Sequence, residues 1–250
     1  IRQDFLMYYR YTQKWVDLFN AQPFMIDIEP GHYIKGMHNL MNAHFDLRNF
    51  KKFDETLDAF TRFSESETAK KHDNNKVQAF VYLTSARINR HISMGTFKEG
   101  LSLIPYTEEK LGEYELYLDR HRVLVFNYKI ATLHFGAGDY NTCIDYLRKI
   151  INDTPDLRND LQCYARLLHL IAHYEQGNAD IIEHLVKSVY RFMAKMDNLS
   201  VIEEQVLKFL QGSFFIPVKK LQPELEKFLQ QIKQYENNRF ETRAFAYLDI

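Results

Sequence analysis

Residues 132–147 read TLHFGAGDYNTCIDYL. An apolar stretch closes on His134-Phe135, glycines at 136 and 138 make a turn, and Asp139 opens a second amphipathic stretch. That is the plan of a helix, a glycine-ended C-terminus, a polar N-cap and a further helix. Residues 42–57, NAHFDLRNFKKFDETL, repeat it: His44-Phe45 falls on His134-Phe135, Asn49-Phe50 on Asp139-Tyr140, and Leu57 on Leu147. RHISMGTFKEGLSLI (90–104) and AHYEQGNADIIEHLV (172–186) supply two more copies. His44, His91, His134 and His173 share one column, at spacings of 47, 43 and 39 residues.

The second helix of the third copy carries Tyr140, Cys143, Ile144, Leu147, Ile150 and Ile151, the i, i+3, i+4, i+7 stripe of a helix with one buried face. Phe50, Phe53, Leu57 and Phe60 form the matching stripe of the first copy. A two-helix unit cannot cover such a stripe alone, so stacked neighbours are expected. Thr96, Asp139 and either Asn178 or Asp180 are the expected caps.

Composition agrees with long helices. Only 9 Gly and 6 Pro punctuate 250 residues, too few for the turns of a sandwich or a doubly wound sheet. Lys plus Arg (32) nearly equals Asp plus Glu (33), so no overall basic field exists to hold nucleic acid or an anionic membrane. No apolar run approaches the roughly 20 residues that cross a bilayer, and a cytoplasmic setting is expected. Two cysteines, Cys143 and Cys163, each lie among apolar residues and read as reduced core thiols. A start at Ile1 and a stop at Ile250 suggest a piece of a longer chain.

The third copy resembles the tetratricopeptide repeat. Ile130, Ala131 and His134 stand at that family's leucine, small and aromatic positions of the first helix, and Gly138-Asp139-Tyr140 matches its turn. Cys143, Leu147 and Pro155 match the small, aliphatic and closing-proline positions. The other copies depart from the pattern. Arg48 replaces the turn glycine, Gly100 takes a small position, and units of 39 to 47 residues exceed the family's usual length. The resemblance implies an all-α α-solenoid of antiparallel helix pairs: one domain over 1–250, with a lead-in helix at 1–20 and repeat units at 33–66, 73–112, 119–155 and 160–196. A weaker pair and a capping helix follow at 200–250. Residues 20–31, holding Pro23 and Pro30, read as a loop.

Little in the sequence points to catalysis. There is no P-loop, no glycine-rich dinucleotide turn and no nucleophile elbow. Carboxylate pairs such as Glu108-Glu109 and Glu203-Glu204 read as solvated helix surface. His169 and His173 share a helix face, as a zinc pair requires, but HLIAH lacks the glutamate of a zinc-hydrolase helix. The histidine column cannot share one metal, because stacked units lie about 10 Å apart and ligands sit at about 2 Å. Packing is its expected role; no cofactor or metal is expected.

In tetratricopeptide-like stacks the first helices line a groove that takes a peptide. Carried over, that groove comprises Lys35, His38, Asn39, Asn42 and Phe45, then Tyr82, Ser85 and Asn89. Val125, Tyr128, Lys129 and Thr132 follow, then Tyr164, Leu167 and Ile171. Asn42 and Asn89 share a column and can hold a peptide backbone through donor and acceptor. Lys35 and Lys129 suit a carboxylate, and the tyrosines offer flat apolar area with a polar tip. A non-catalytic scaffold that binds a protein or peptide is therefore expected. An enzyme on a helical scaffold is the alternative, and an RNA-binding solenoid a distant third.

Overall fold

A computed structural model describes residues 5–153, 159–195, 201–213, 216 and 218–235. Every element among them is an α-helix or a 3-10 turn, so the all-α expectation holds there. The chain divides into two compact units, 1–91 with 102–122, and 92–101 with 123–250.

The first unit holds α1 (Phe5–Ala21), α2 (Phe24–Ile28), α3 (Pro30–Asp46), α4 (Phe50–Ser64), α5 (Glu67–Lys70) and most of α6 (Asp73–Met94). Helix α3 is central, packing against both α1 and α4. Gly36 lets α1 come close: a Cβ there would stand 3.3 Å from the Trp15 ring. Phe53 and Phe60 of α4 are fully buried, worth about 1.5 to 3 kcal/mol each. Tyr33 meets Phe19 and Phe63 edge-on at 5.5 and 4.8 Å. Helix α6 is tied to α4 by Arg90, which grips Asp54 through two 2.9 Å hydrogen bonds and lies 4.8 Å over the Phe50 ring.

One expectation changes here. Residues 20–31 are not simply a loop, because α2 forms within them. Pro23 is its N-cap residue and Pro30 opens α3. Both prolines stand at helix starts, where the missing N–H has no intrahelical partner to lose.

The second unit contains α7 (Phe97–Gly100), a 3-10 turn (Leu101–Leu103, shared with the first unit), most of α9 (Arg120–Gly136) and α10 (Tyr140–Ile151). Beyond them come α11 (Asn159–Glu175), α12 (Ala179–Lys195), α13 (Val201–Ser213) and α14 (Val218–Lys233); α8 (Ile104–Glu113) belongs to the first unit. Helices α10 to α14 pack in chain order, each against the next. The Phe97 ring lies so close to Gly136 that a Cβ there would fall 2.3 Å from it. Gln162 and Arg166 of α11 cap α10, donating to the carbonyls of Ile150 and Ile151 at 2.6 and 3.2 Å. A guanidinium at the negative end of a helix is favourable, and Arg166 also stacks 3.8 Å over Phe192. Helix α14 carries Pro223 inside it, and the tail FETRAFAYLDI, residues 240–250, expected as the capping helix, lies outside the described residues.

The repeated turn has one geometry. Arg48, Gly95, Gly138 and Gly177 all take left-handed backbone, with φ of 52°, 67°, 83° and 73°. Each stands four residues after a histidine of the column. Asn49, Asp139 and Asn178 donate their N–H back to the carbonyls of His44, His134 and His173 at 2.9, 2.9 and 3.1 Å. This is the Schellman closure of a helix C-terminus, which satisfies carbonyls the helix leaves unpaired. Asn49 and Asp139 then cap the next helix, accepting from the N–H of Lys52 and Thr142. Thr96 is an N-cap residue whose side chain makes no capping hydrogen bond to its helix.

Candidate functional site

The expected groove residues fall in both units. In the first, Lys35 is exposed, and His38, Asn39, Asn42, Tyr82 and Asn89 are half-buried. Lys35, His38, Asn42 and Asp46 follow one another at three or four residues along α3, so they share a face. The structure brings several of these side chains together. The His38 imidazole lies flat on the Tyr82 ring of α6, centroids 3.8 Å apart and planes 9° from parallel. The Asn42 amide Nδ2 is 3.1 Å from His38 Nε2, so as oriented it donates to an unprotonated ring nitrogen.

Two neighbours of this cluster are absent from the expected list. The Asn42 amide and the charge of Asp46, one turn beyond it, both act on the hydroxyl of Tyr8 in α1. Burial raises the Tyr8 hydroxyl above its usual pKa, the Asp46 charge adds to this, and the Asn42 amide opposes it. Burial likewise raises the Asp46 carboxyl above the ordinary carboxylate value. Asp46 was legible as the next polar residue on the α3 stripe. Tyr8 was not, because its place depends on how α1 lies against α3.

In the second unit Tyr128 and Lys129 are half-buried on α9, and Tyr164 is only 6 % exposed on α11, which leaves a partner little of its surface. Protein atoms enclose the Lys129 ammonium, and that desolvation pushes its pKa down to about 8.

The histidine column sits among packed groups. His44 and His173 are buried, and His44 lies 5.3 Å from the Tyr9 ring. His134 Nδ1 is 3.1 Å from Asp139 Oδ2, and its ring stacks on Tyr146 at 5.9 Å. His173 Nδ1 is 3.0 Å from Asn178 Nδ2. His169 and His173 meet edge to face at 4.6 Å, and burial, then His173, Arg148 and Arg166, push His169 down to about 4. Among the described residues no group of three or more His, Cys, Asp or Glu is placed to hold a metal ion. Cys143 and Cys163 are buried free thiols, and burial pushes Cys143 up to about 12, far from a reactive thiolate. No helix among the described residues is long and apolar enough to cross a membrane. No family model, no characterised protein and no solved structure matches the chain.

Proposed function

We propose that the chain is a tetratricopeptide-like stack of helix pairs that works in the cytoplasm as a non-catalytic scaffold, binding a peptide segment of another protein. The observation that carries this reading is the polar row on α3. Lys35, His38, Asn39 and Asn42 occupy one face of a helix whose other face is core, and Tyr82 stacks against that row. A polar row flanked by tyrosines supplies backbone-reading amides beside flat apolar area, the mixture that peptide-binding surfaces use. The perturbed groups elsewhere do not converge as an active site requires: Cys143 is a protonated thiol, His134 and His173 bond to turn residues, and His169 packs edge to face on His173.

The test is selection of random dodecapeptides, displayed on phage, against the immobilised chain. Selected peptides should bind in solution, and Asn42→Ala and Tyr82→Ala should each weaken them about tenfold. Helicity should be unchanged. Peptides that bind both variants as well as the parent would move the site away from α3.

A further inference from the structure

Among the described residues α3, α4, α9, α10 and α11 leave no large apolar side chain exposed, whereas α1 exposes Phe5, Leu6, Met7, Tyr11 and Leu18. Scattered apolar residues on a surface are ordinary, but Met7, Tyr11 and Leu18 stand at spacings of four and seven and so form one stripe. Tyr11 is 63 % exposed and Leu18 68 %. A cavity of about 470 Å3 opens beside the stripe, lined by the apolar side chains of Trp15, Leu18, Phe19 and Met25 together with three polar residues. Leu18 belongs to both stripe and cavity, and Trp15 is held in place against Gly36 of α3. On the opposite flank of the stripe lie Arg10 and Asp17. They are two helical turns, about 10 Å, apart. Among the described residues both make contacts only within α1: Arg10 with Met7 Sδ at 4.0 Å, and Asp17 Oδ1 accepting from Gln13 at 2.9 Å.

We infer that this face of α1 pairs with the same face of a second copy of the chain, the two helices antiparallel about a two-fold axis between residues 13 and 14. The spacing of the residues selects that arrangement. Antiparallel pairing in this register sets Arg10 of each copy opposite Asp17 of the other, whereas parallel pairing would set Arg10 against Arg10 and Asp17 against Asp17. The same register lays Tyr11 of each copy over Trp15 and Leu18 of the other, at the cavity that those two residues line. A tyrosine supplies a large, stiff apolar body for such a cavity and keeps its hydroxyl at the edge in water. Lys14 stands close to its own image at the axis, and one helix face is a small interface. Association is therefore weak, with a Kd of about 1 to 100 μM. This inference is independent of the peptide row on α3.

The test is sedimentation equilibrium of the whole chain, read together with the fluorescence of Trp15, its single tryptophan. The parent should pass from monomer towards dimer over that concentration range, and Trp15 emission should shift to the blue as the cavity fills. Leu18→Lys should stay monomeric with an unchanged circular dichroism spectrum, since the side chain it replaces is exposed. Arg10→Asp and Asp17→Arg should each weaken association about tenfold or more, because each places like charges opposite one another. An equimolar mixture of those two variants should associate as the parent does, since both charge pairs are then opposite again. A parent that stays monomeric at 100 μM, or a dimer indifferent to Leu18→Lys, overturns the self-association face. A mixture that associates no better than either variant alone overturns the antiparallel pairing.

Discussion

Arg48, with φ of 52°, holds the backbone conformation that Gly138 holds at 83°, and each stands four residues after its histidine. The turn therefore keeps its shape where glycine is missing, at a cost. A left-handed residue with a Cβ is strained by about 1 to 2 kcal/mol relative to glycine, part of which is recovered because glycine is freer in the unfolded chain. Arg48→Gly should stabilise the first unit by about 0.5 to 1 kcal/mol, seen as a higher urea midpoint. A lower midpoint would mean that the exposed Arg48 side chain contributes more than the strain removes.

His134 is held on two sides, by the Asp139 carboxylate and by the Tyr146 ring. His134→Ala removes both contacts and leaves a gap next to the turn, so a loss of about 1 to 3 kcal/mol is expected. His134→Phe keeps the ring over Tyr146 and loses only the bond to Asp139, so it should cost less. Unfolding curves of His134→Ala that overlay the parent would show that the column is not structural.

The sequence could reveal this turn because it is local. Histidine, left-handed residue and cap lie within six residues, and the column at 44, 91, 134 and 173 marks left-handed positions at 48, 95, 138 and 177. The α3 row was legible for the same reason, since spacings of three and four residues define a helix face without any knowledge of its neighbours. What needed the fold was everything set by packing between helices. Tyr164 falls at a plausible first-helix position, but Leu161 to Ala165 are all buried, so α11 presents core on more than one side. Pro23 and Pro30 signal helix starts and loops alike, and only the chain between them decides which. Tyr9 meets the His44 ring across 35 residues of chain, a distance on which periodicity is silent.

His169 should make the second unit acid-sensitive. Folded, it titrates at about 4; its ordinary value is 6.5, so between those limits the unfolded chain binds the proton more tightly. Stability is complete above about pH 6.5 and is lost as pH falls towards 4. The groups that act on His169 are His173, Arg148 and Arg166, all cationic or able to become so, and protonation adds repulsion to the cost of burying charge. The contribution is at most roughly 3 kcal/mol. His169→Gln should flatten the pH dependence of the urea midpoint between pH 6.5 and 4.5 relative to the parent. Parallel curves for the two proteins would place the acid sensitivity in other groups.

Asp46, the last residue of α3, should oppose folding at neutral pH. Burial raises its folded pKa, so the folded chain holds its proton more tightly than the unfolded chain does. Its ionised form therefore opposes folding: the penalty is absent well below pH 3.8, grows as pH rises through the titration and is complete at neutrality. Removing the charge relieves both that desolvation and the clash with the helix dipole. Because the side chain stays largely in contact with solvent, the gain falls in the modest range of surface dipole effects, about 0.3 to 1 kcal/mol. Asp46→Asn should thus raise the urea midpoint at pH 7 and leave it unchanged at pH 3. A lower midpoint for Asp46→Asn at pH 7 would instead show that the carboxylate holds the end of α3 in place.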